Sequence, residues 1–151
     1  MPFILLLSCK KEDEVFTTDI QNIYLYYKNS TGQNLLNSSV PKGLMSTDID
    51  ILDLNTDGHK IYFQNSGHTN AISEISHPSL GKIIKLPFQN GIKIGNKLTK
   101  YLQYSAYKED KITVQLGNYQ GKVSIYKIWL NDHLIATQNG LDQRAPLTIL
   151  K

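Results

Sequence analysis

Short segments of alternating apolar and polar residues recur along the chain, separated by turn-forming residues. The first clear segment is Asn22–Asn29, in which aromatic and β-branched residues suit a pleated, half-buried surface. No segment keeps a helical period over three turns, whereas short strands recur at intervals of roughly 8–12 residues with turn signals between them. This spacing predicts an all-β domain. We expect an immunoglobulin-like β-sandwich, with a small calycin-like β-barrel as the alternative.

The other strands are predicted from the same alternation and from the turns that bound them. Asn55–Gly58 and Asn131–Asp132 have the composition of β-hairpin turns, and Gly117–Gly121 predicts a further turn. The segment 98–107 is ambiguous because its tyrosines recur at every third residue, but the turn and strand that follow favour a hairpin. The predicted strands are 48–54, 60–64, 71–76, 82–88, 98–107, 111–116, 123–130, 133–137 and, as an edge strand, 147–150.

The beginning of the chain differs in composition from the rest. A short apolar run, Pro2–Leu7, is followed by Ser8, Cys9 and dense charge. This run is far shorter than the roughly 20 residues that a membrane-spanning helix needs. The whole chain has 151 residues, a size typical of one domain. We therefore expect a signal segment at 1–8, a charged tether at 9–21 and a single β domain at 22–151.

Leu6-Leu7-Ser8-Cys9 resembles the lipobox of bacterial lipoproteins. The resemblance implies that the Cys9 thiol receives a diacylglyceryl group, that the chain is cut just before Cys9, and that acyl lipid such as palmitate completes the anchor. Two or three acyl chains hold firmly because each buried methylene contributes about 0.8 kcal/mol. Cys9 is the only cysteine, so lipidation would also explain a thiol that has no disulfide partner.

One alternative for this segment is a buried first strand with Cys9 in the core. A complete signal would also carry a basic region and a longer apolar core before Cys9, and neither is present in the sequence. We therefore expect translation to start upstream of Met1. The charge that follows Cys9 still favours the lipoprotein interpretation, because an apolar core strand rarely runs directly into such a cluster.

The charged cluster Lys10–Glu14 is similar to the export signal of surface lipoproteins in the Bacteroidota. That resemblance implies an anchor in the outer membrane with the domain on the cell surface, although a solvated linker would have the same composition. With the late hairpin at Lys127–Asp132, the chain also resembles small lipoproteins of that phylum whose activities are unassigned. The resemblance therefore implies a location and leaves the activity open.

Composition and motifs argue against several classes of function. The net charge of +3 is small and scattered, so we expect no nucleic-acid partner. The sequence contains no Gly-x-Ser-x-Gly elbow and no glycine-rich phosphate loop, and a lipidated Cys9 would have no thiolate. Glu74, Glu109 and the scattered aspartates suggest no carboxylate pair. We expect a protein without enzymatic activity.

Asp53, Asn55 and Asp57 match the first half of a calcium-binding loop, and Gly58 would allow its bend. The motif then fails, because Gln64 stands where a bidentate Glu should close the shell. Asp53 also shares the strand phase of two isoleucines. A hairpin turn is the favoured interpretation, and the four histidines lack the spacing of a zinc site. We expect no cofactor apart from the covalent lipid.

Tyrosines near predicted turns are the candidate binding residues. Exposed aromatic rings on a surface-tethered β-sandwich could stack on sugar rings or contact a protein partner. The alternative is that these rings pack within the sheet, as strand aromatics commonly do. Two hypotheses follow: an accessory or structural lipoprotein, and a module that binds glycan or protein. The candidate residues are Tyr101, Tyr104, Tyr107 and Tyr119.

Overall fold

The computed structural model describes residues 22–62, 72–88, 93–119, 122–137 and 145–151, with Tyr119 and Lys122 described by their backbone alone. Within these ranges the chain forms ten β-strands and one 3₁₀ turn, Ser46–Asp48. The strands are β1 Asn22–Lys28, β2 Ile49–Leu54, β3 Lys60–Tyr62, β4 Ser73–His77, β5 Gly81–Pro87, β6 Lys97–Tyr104, β7 Asp110–Tyr119, β8 Lys122–Leu130, β9 His133–Thr137 and β10 Leu147–Leu150.

The described strands form two sheets. The smaller sheet has the order β10-β1-β5-β4, and the larger one has the order β3-β2-β6-β7-β8-β9. Neighbouring strands are antiparallel except β1 and β10, which pair in parallel with Leu25 opposite Leu147. Each sheet keeps two free edges within the described residues, so no closed barrel forms there. The prediction of an all-β sandwich is confirmed.

The core lies between the two sheets and follows directly from the alternation in the sequence. In β1 the side chains of Ile23, Leu25 and Tyr27 are buried, whereas the intervening ones are partly exposed. The same alternation appears in β6 and in the first part of β7, where every second residue is buried from Leu98 to Tyr104 and from Asp110 to Leu116. Burying apolar area contributes roughly 25 cal/mol per Å², so this two-faced pattern supplies the main drive for packing the sheets.

The hairpin between β8 and β9 is confirmed as a two-residue turn. Asn131 and Asp132 both have positive φ angles, 50° and 68°. Two consecutive left-handed residues define the type I′ turn, whose twist matches that of the flanking strands. Asn and Asp tolerate this conformation better than other non-glycine residues, which explains why this pair marks the turn in the sequence.

The turn predicted at Gly117–Gly121 is partly wrong. β7 continues through Tyr119, so Gly117 lies inside a strand. A Cβ atom at Gly117 would lie 3.1 Å from the Cβ atom of Tyr126 on β8, tighter than ordinary contact. The pairing of β7 with β8 also shifts by a residue between Gln115 and Leu116. Glycine here permits close approach of two strands beside a bulge, which is its other common role in sheets.

A buried chain of polar groups connects the two sheets at one end of the core. The hydroxyl of Tyr27 in β1 lies 2.9 Å from the hydroxyl of Tyr104 in β6. Tyr104 donates to the Asp110 carboxylate at 2.9 Å, so Tyr27 must donate to Tyr104. Asp110 also accepts from Asn131 at 2.9 Å and pairs with the Lys151 ammonium at 2.5 Å. Five side chains from both sheets therefore share one polar network.

This network predicts a pH dependence of stability. Burial, together with the nearby Asp110 carboxylate, raises the pKa of Tyr27 and of Tyr104 above the usual value of 10.0. A raised folded-state pKa gives stability that is complete below about pH 10 and is lost as the pH rises further. In urea unfolding, the stability difference between wild type and Tyr27→Phe should be constant up to about pH 9 and shrink above pH 10. A constant difference up to about pH 11 would contradict the proposed burial of Tyr27.

Candidate functional site

The outer face of the larger sheet carries an ordered set of polar and aromatic side chains. Residues that alternate with the core residues of β6, β7 and β8 point outward, away from the smaller sheet. The strand register places Thr99 opposite Thr113, and Thr113 opposite Trp129. In the next outward row Lys97 lies opposite Gln115, which lies opposite Lys127. Residues distant in sequence thus form a continuous surface.

A recess of about 410 Å³ opens on this face. The two threonine hydroxyls, 3.0 Å apart, hydrogen bond to each other within it. Its volume lies within the roughly 300–1,000 Å³ range of small-molecule sites. The residues that line it combine apolar, hydroxyl and charged groups and are Leu54, Ile94, Lys97, Thr99, Lys111, Thr113, Trp129 and Asp132.

Trp129 is the only tryptophan in the chain, and it lies half-buried on this outer face. The Lys97 ammonium lies 4.7 Å from the centre of its ring, within the distance of a cation–π contact. A similar pair lies nearby, where the Lys60 ammonium is 4.1 Å from the centre of the Tyr101 ring. Lys60 also pairs with Glu109. Both aromatic rings are thus held in place by neighbouring side chains.

The charges that line the recess do not cancel. Lys111 pairs with Asp132 at 2.8 Å, and this hydrogen bond raises the pKa of the Lys111 ammonium. Lys97, which is exposed, makes no ion pair with any described residue. Among the described residues that line the recess, one neutralised pair and one uncompensated ammonium therefore leave a single positive charge.

The structure separates the four tyrosines named from the sequence. Tyr101 is half-buried on the outer face of the larger sheet, opposite Lys111, which lines the recess. Tyr104 is buried and belongs to the polar network, so its ring offers no surface for stacking. Tyr107 is half-buried and donates to the backbone carbonyl of Lys42 at 2.6 Å. The side chain of Tyr119 lies outside the described part of the structure. For Tyr104, packing within the protein is the correct interpretation.

The structure also places the oxygen atoms of the calcium motif. Asp53 is buried and accepts from the Lys100 ammonium at 2.8 Å. Asn55 accepts from the backbone amides of Asp57 and His59 at 3.0 and 2.8 Å, which closes the hairpin turn. Asp53 and Asn55 are thus engaged within the protein. Among the described residues, no three His, Cys, Asp or Glu side chains are grouped as metal ligands would be.

The lipidation candidate Cys9, with the whole segment 1–21, lies outside the described residues. In the part of the chain that is described, no helix has the length and apolar character to cross a bilayer. The predicted division into signal, tether and domain stays a prediction. The described strands all lie within 22–151.

The sequence did not single out Trp129 or the other residues that line the recess as candidates for binding. A usable signal was present in the strand phase. Thr99 and Tyr101 alternate with buried positions of β6, and Lys111 and Thr113 do so in β7. The alternation within each strand therefore predicts which of its side chains point outward. The register that brings these residues beside Trp129 required the structure.

Apolar side chains are also exposed near the two edges of the larger sheet. In β3 they are Ile61 and Tyr62, and in β9 they are Leu134 and Ile135, with exposed fractions between 42 and 64 %. Edge strands present unpaired backbone groups, to which a further strand can bind.

Comparison of the chain with protein-family models, curated proteins and solved structures finds no match.

Proposed function

We propose that this protein is a lipid-anchored surface module that binds carbohydrate in the recess beside Trp129. The proposal joins two independent lines of reasoning. The lipobox-like segment ending at Cys9 supports the anchor, and the charged cluster behind it supports a location on the outer face of the outer membrane. The composition of the recess supports the binding activity. No catalytic step is part of the proposal.

The observation that carries the binding proposal is the combination of Trp129 with the two threonine hydroxyls. A sugar ring presents apolar C–H groups together with a rim of hydroxyls, and it binds best where an aromatic ring adjoins hydrogen-bonding groups. Two hydroxyls have two donors and four acceptor sites, and the bond between Thr99 and Thr113 uses one of each. One donor and three acceptor sites therefore stay available to a ligand.

A glycan array probed with the soluble domain tests the binding proposal. Wild type should bind a subset of oligosaccharides, and Trp129→Ala should reduce that binding at least about tenfold, a change of about 1.4 kcal/mol. Tyr24→Ala is the matched control, because Tyr24 is a half-buried aromatic on the outer face of the smaller sheet. Equal binding by wild type and Trp129→Ala would place any glycan site elsewhere.

Fractionation of cells tests the anchor. When it is produced from the full-length precursor, the lipidated wild-type protein should partition with the outer membrane, whereas the Cys9→Ala variant should lose the attachment point and become soluble. The large effect is expected because two or three buried acyl chains bind membranes firmly. Treatment of intact cells with protease then reports surface exposure. Identical partitioning of wild type and Cys9→Ala would contradict lipid attachment at Cys9.

A protein ligand is the second candidate, favoured by the exposed apolar side chains Leu134 and Ile135 on the edge strand β9. Such an edge could accept an extended segment of a partner as an additional strand. The same array separates the candidates. Glycan binding that depends on Trp129 supports the first one. A domain that binds no glycan favours the protein ligand or a purely structural role.

A further inference from the structure

We infer that the sugar bound beside Trp129 carries a carboxylate, and that the Lys97 ammonium recognises it. This inference rests on the proposed carbohydrate-binding function and narrows it to a class of ligand, the acidic sugars. Its support is the charge of the recess rather than its shape. A neutral sugar would use the threonines and Trp129 but would leave the ammonium of Lys97 without an anionic partner.

The two lysines of the recess differ in their capacity to bind an anion. Lys111 already donates to Asp132 at 2.8 Å, so a ligand carboxylate there would face a competing protein carboxylate. Lys97 has no such competitor among the described residues, and its contact is the ring of Trp129 at 4.7 Å. An ammonium has three donors, and a π contact leaves them able to bind oxygen.

The position of Lys97 also suits its proposed role. The cation–π contact holds the ammonium beside the indole, so an anion that binds Lys97 brings its own ring next to Trp129. Thr99 lies two residues along the same strand and faces the same side of the sheet. A ligand can therefore meet the charge, the aromatic ring and a hydroxyl group at once. These three contacts match the carboxylate, the C–H face and a hydroxyl of an acidic sugar.

The competing partner Asp132 gives the recess a means of discrimination. Its carboxylate lines the same recess and is engaged by the Lys111 ammonium, so it would repel a second anionic group on the same sugar ring. The arrangement thus favours one carboxylate per sugar ring over densely charged polymers. Because the contacts are partly solvated, affinity for the acidic ligand should also fall as salt concentration rises.

Calorimetric titration with a galacturonic acid oligomer and with its carboxyl-reduced, neutral counterpart tests the inference. Wild type should bind the acidic oligomer about five- to tenfold more tightly, as a charge-assisted hydrogen bond at a partly exposed site provides. Lys97→Gln should bind both oligomers with equal affinity. Lys85→Gln is the matched control, since Lys85 lies on the outer face of the smaller sheet, opposite Tyr24.

The outcomes separate the inference from the function on which it rests. A preference for the acidic oligomer that disappears in Lys97→Gln and persists in Lys85→Gln supports the inference. Equal binding of both oligomers by wild type, lost in Trp129→Ala, overturns the inference and leaves carbohydrate binding intact. An acidic preference that survives Lys97→Gln also overturns it. Binding of neither oligomer and of no glycan on the array overturns both.

Discussion

Replacing Asp53 by Ala is expected to lower the free energy of unfolding by about 3–5 kcal/mol, the usual result of breaking a buried ion pair. The Lys100 side chain is 1 % exposed, and its ammonium pairs with Asp53 at 2.8 Å. Without the Asp53 carboxylate, the buried ammonium loses this ion pair. Burial already lowers the pKa of Lys100. Deprotonation of the Lys100 ammonium can therefore reduce the loss of stability in Asp53→Ala. Urea unfolding at neutral pH measures the change.

Asp50→Ala is the matched control for Asp53→Ala. Asp50 lies on the same strand, β2, but its side chain points to solvent and makes none of the described contacts. Its replacement should change the stability by less than about 0.5 kcal/mol. The double variant Asp53→Leu with Lys100→Met should recover most of the loss, because an apolar pair restores packing without a buried charge. Equal stability of Asp53→Ala and Asp50→Ala would show that the ion pair is not buried.

The second large effect is expected at Asp110, the centre of the polar network between the sheets. Its carboxylate receives hydrogen bonds from Tyr104 and Asn131 and pairs with Lys151. Asp110→Ala leaves these three donors without their shared acceptor, and we expect a loss of about 3–5 kcal/mol. Thermal unfolding followed by circular dichroism measures the loss as a lower Tm. Asp110→Asn keeps an acceptor oxygen, so its Tm should lie between those of wild type and Asp110→Ala.

Asp132→Asn controls for the loss of an acidic charge at the same end of the sheet. The Asp132 side chain is 76 % exposed, and its pair with Lys111 is a surface ion pair. Such pairs contribute about 0–1 kcal/mol, so Asp132→Asn should unfold close to wild type. Asn also tolerates the positive φ of this position, which Ala would not. If Asp110→Ala and Asp132→Asn lowered the stability by equally small amounts, Asp110 would not be the centre of the polar network.

The secondary structure of this protein was largely predictable because its signals are local. The alternation in Asn22–Asn29 and the turn pair Asn131–Asp132 specify a strand and a hairpin from neighbouring residues alone. Gly117 shows the limit of such signals, since the same residue can mark a turn or a close approach of two strands. The deciding fact is that Tyr126 on the neighbouring strand lies against Gly117, and the sequence alone does not show that these two residues are in contact.

The buried ion pair and the candidate site could not be predicted in the same way, because both depend on strand register. The phase of Asp53 beside two isoleucines indicated an inward position, but its partner Lys100 is 47 residues away. The recess joins residues of β2, β6, β7 and β8, and a shift of one residue in any pairing would turn its side chains into the core. Only the paired strands reveal which outward residues meet Trp129.

Tryptophan fluorescence during titration with a glycan identified on the array tests the central claim most directly. Trp129 is the only tryptophan, so its emission reports on the recess alone. A bound sugar should shift the emission in a saturable way and protect the indole from quenching by acrylamide, because the ligand covers the ring. A glycan that binds in calorimetry but changes neither the emission nor the quenching would contradict a binding site at Trp129.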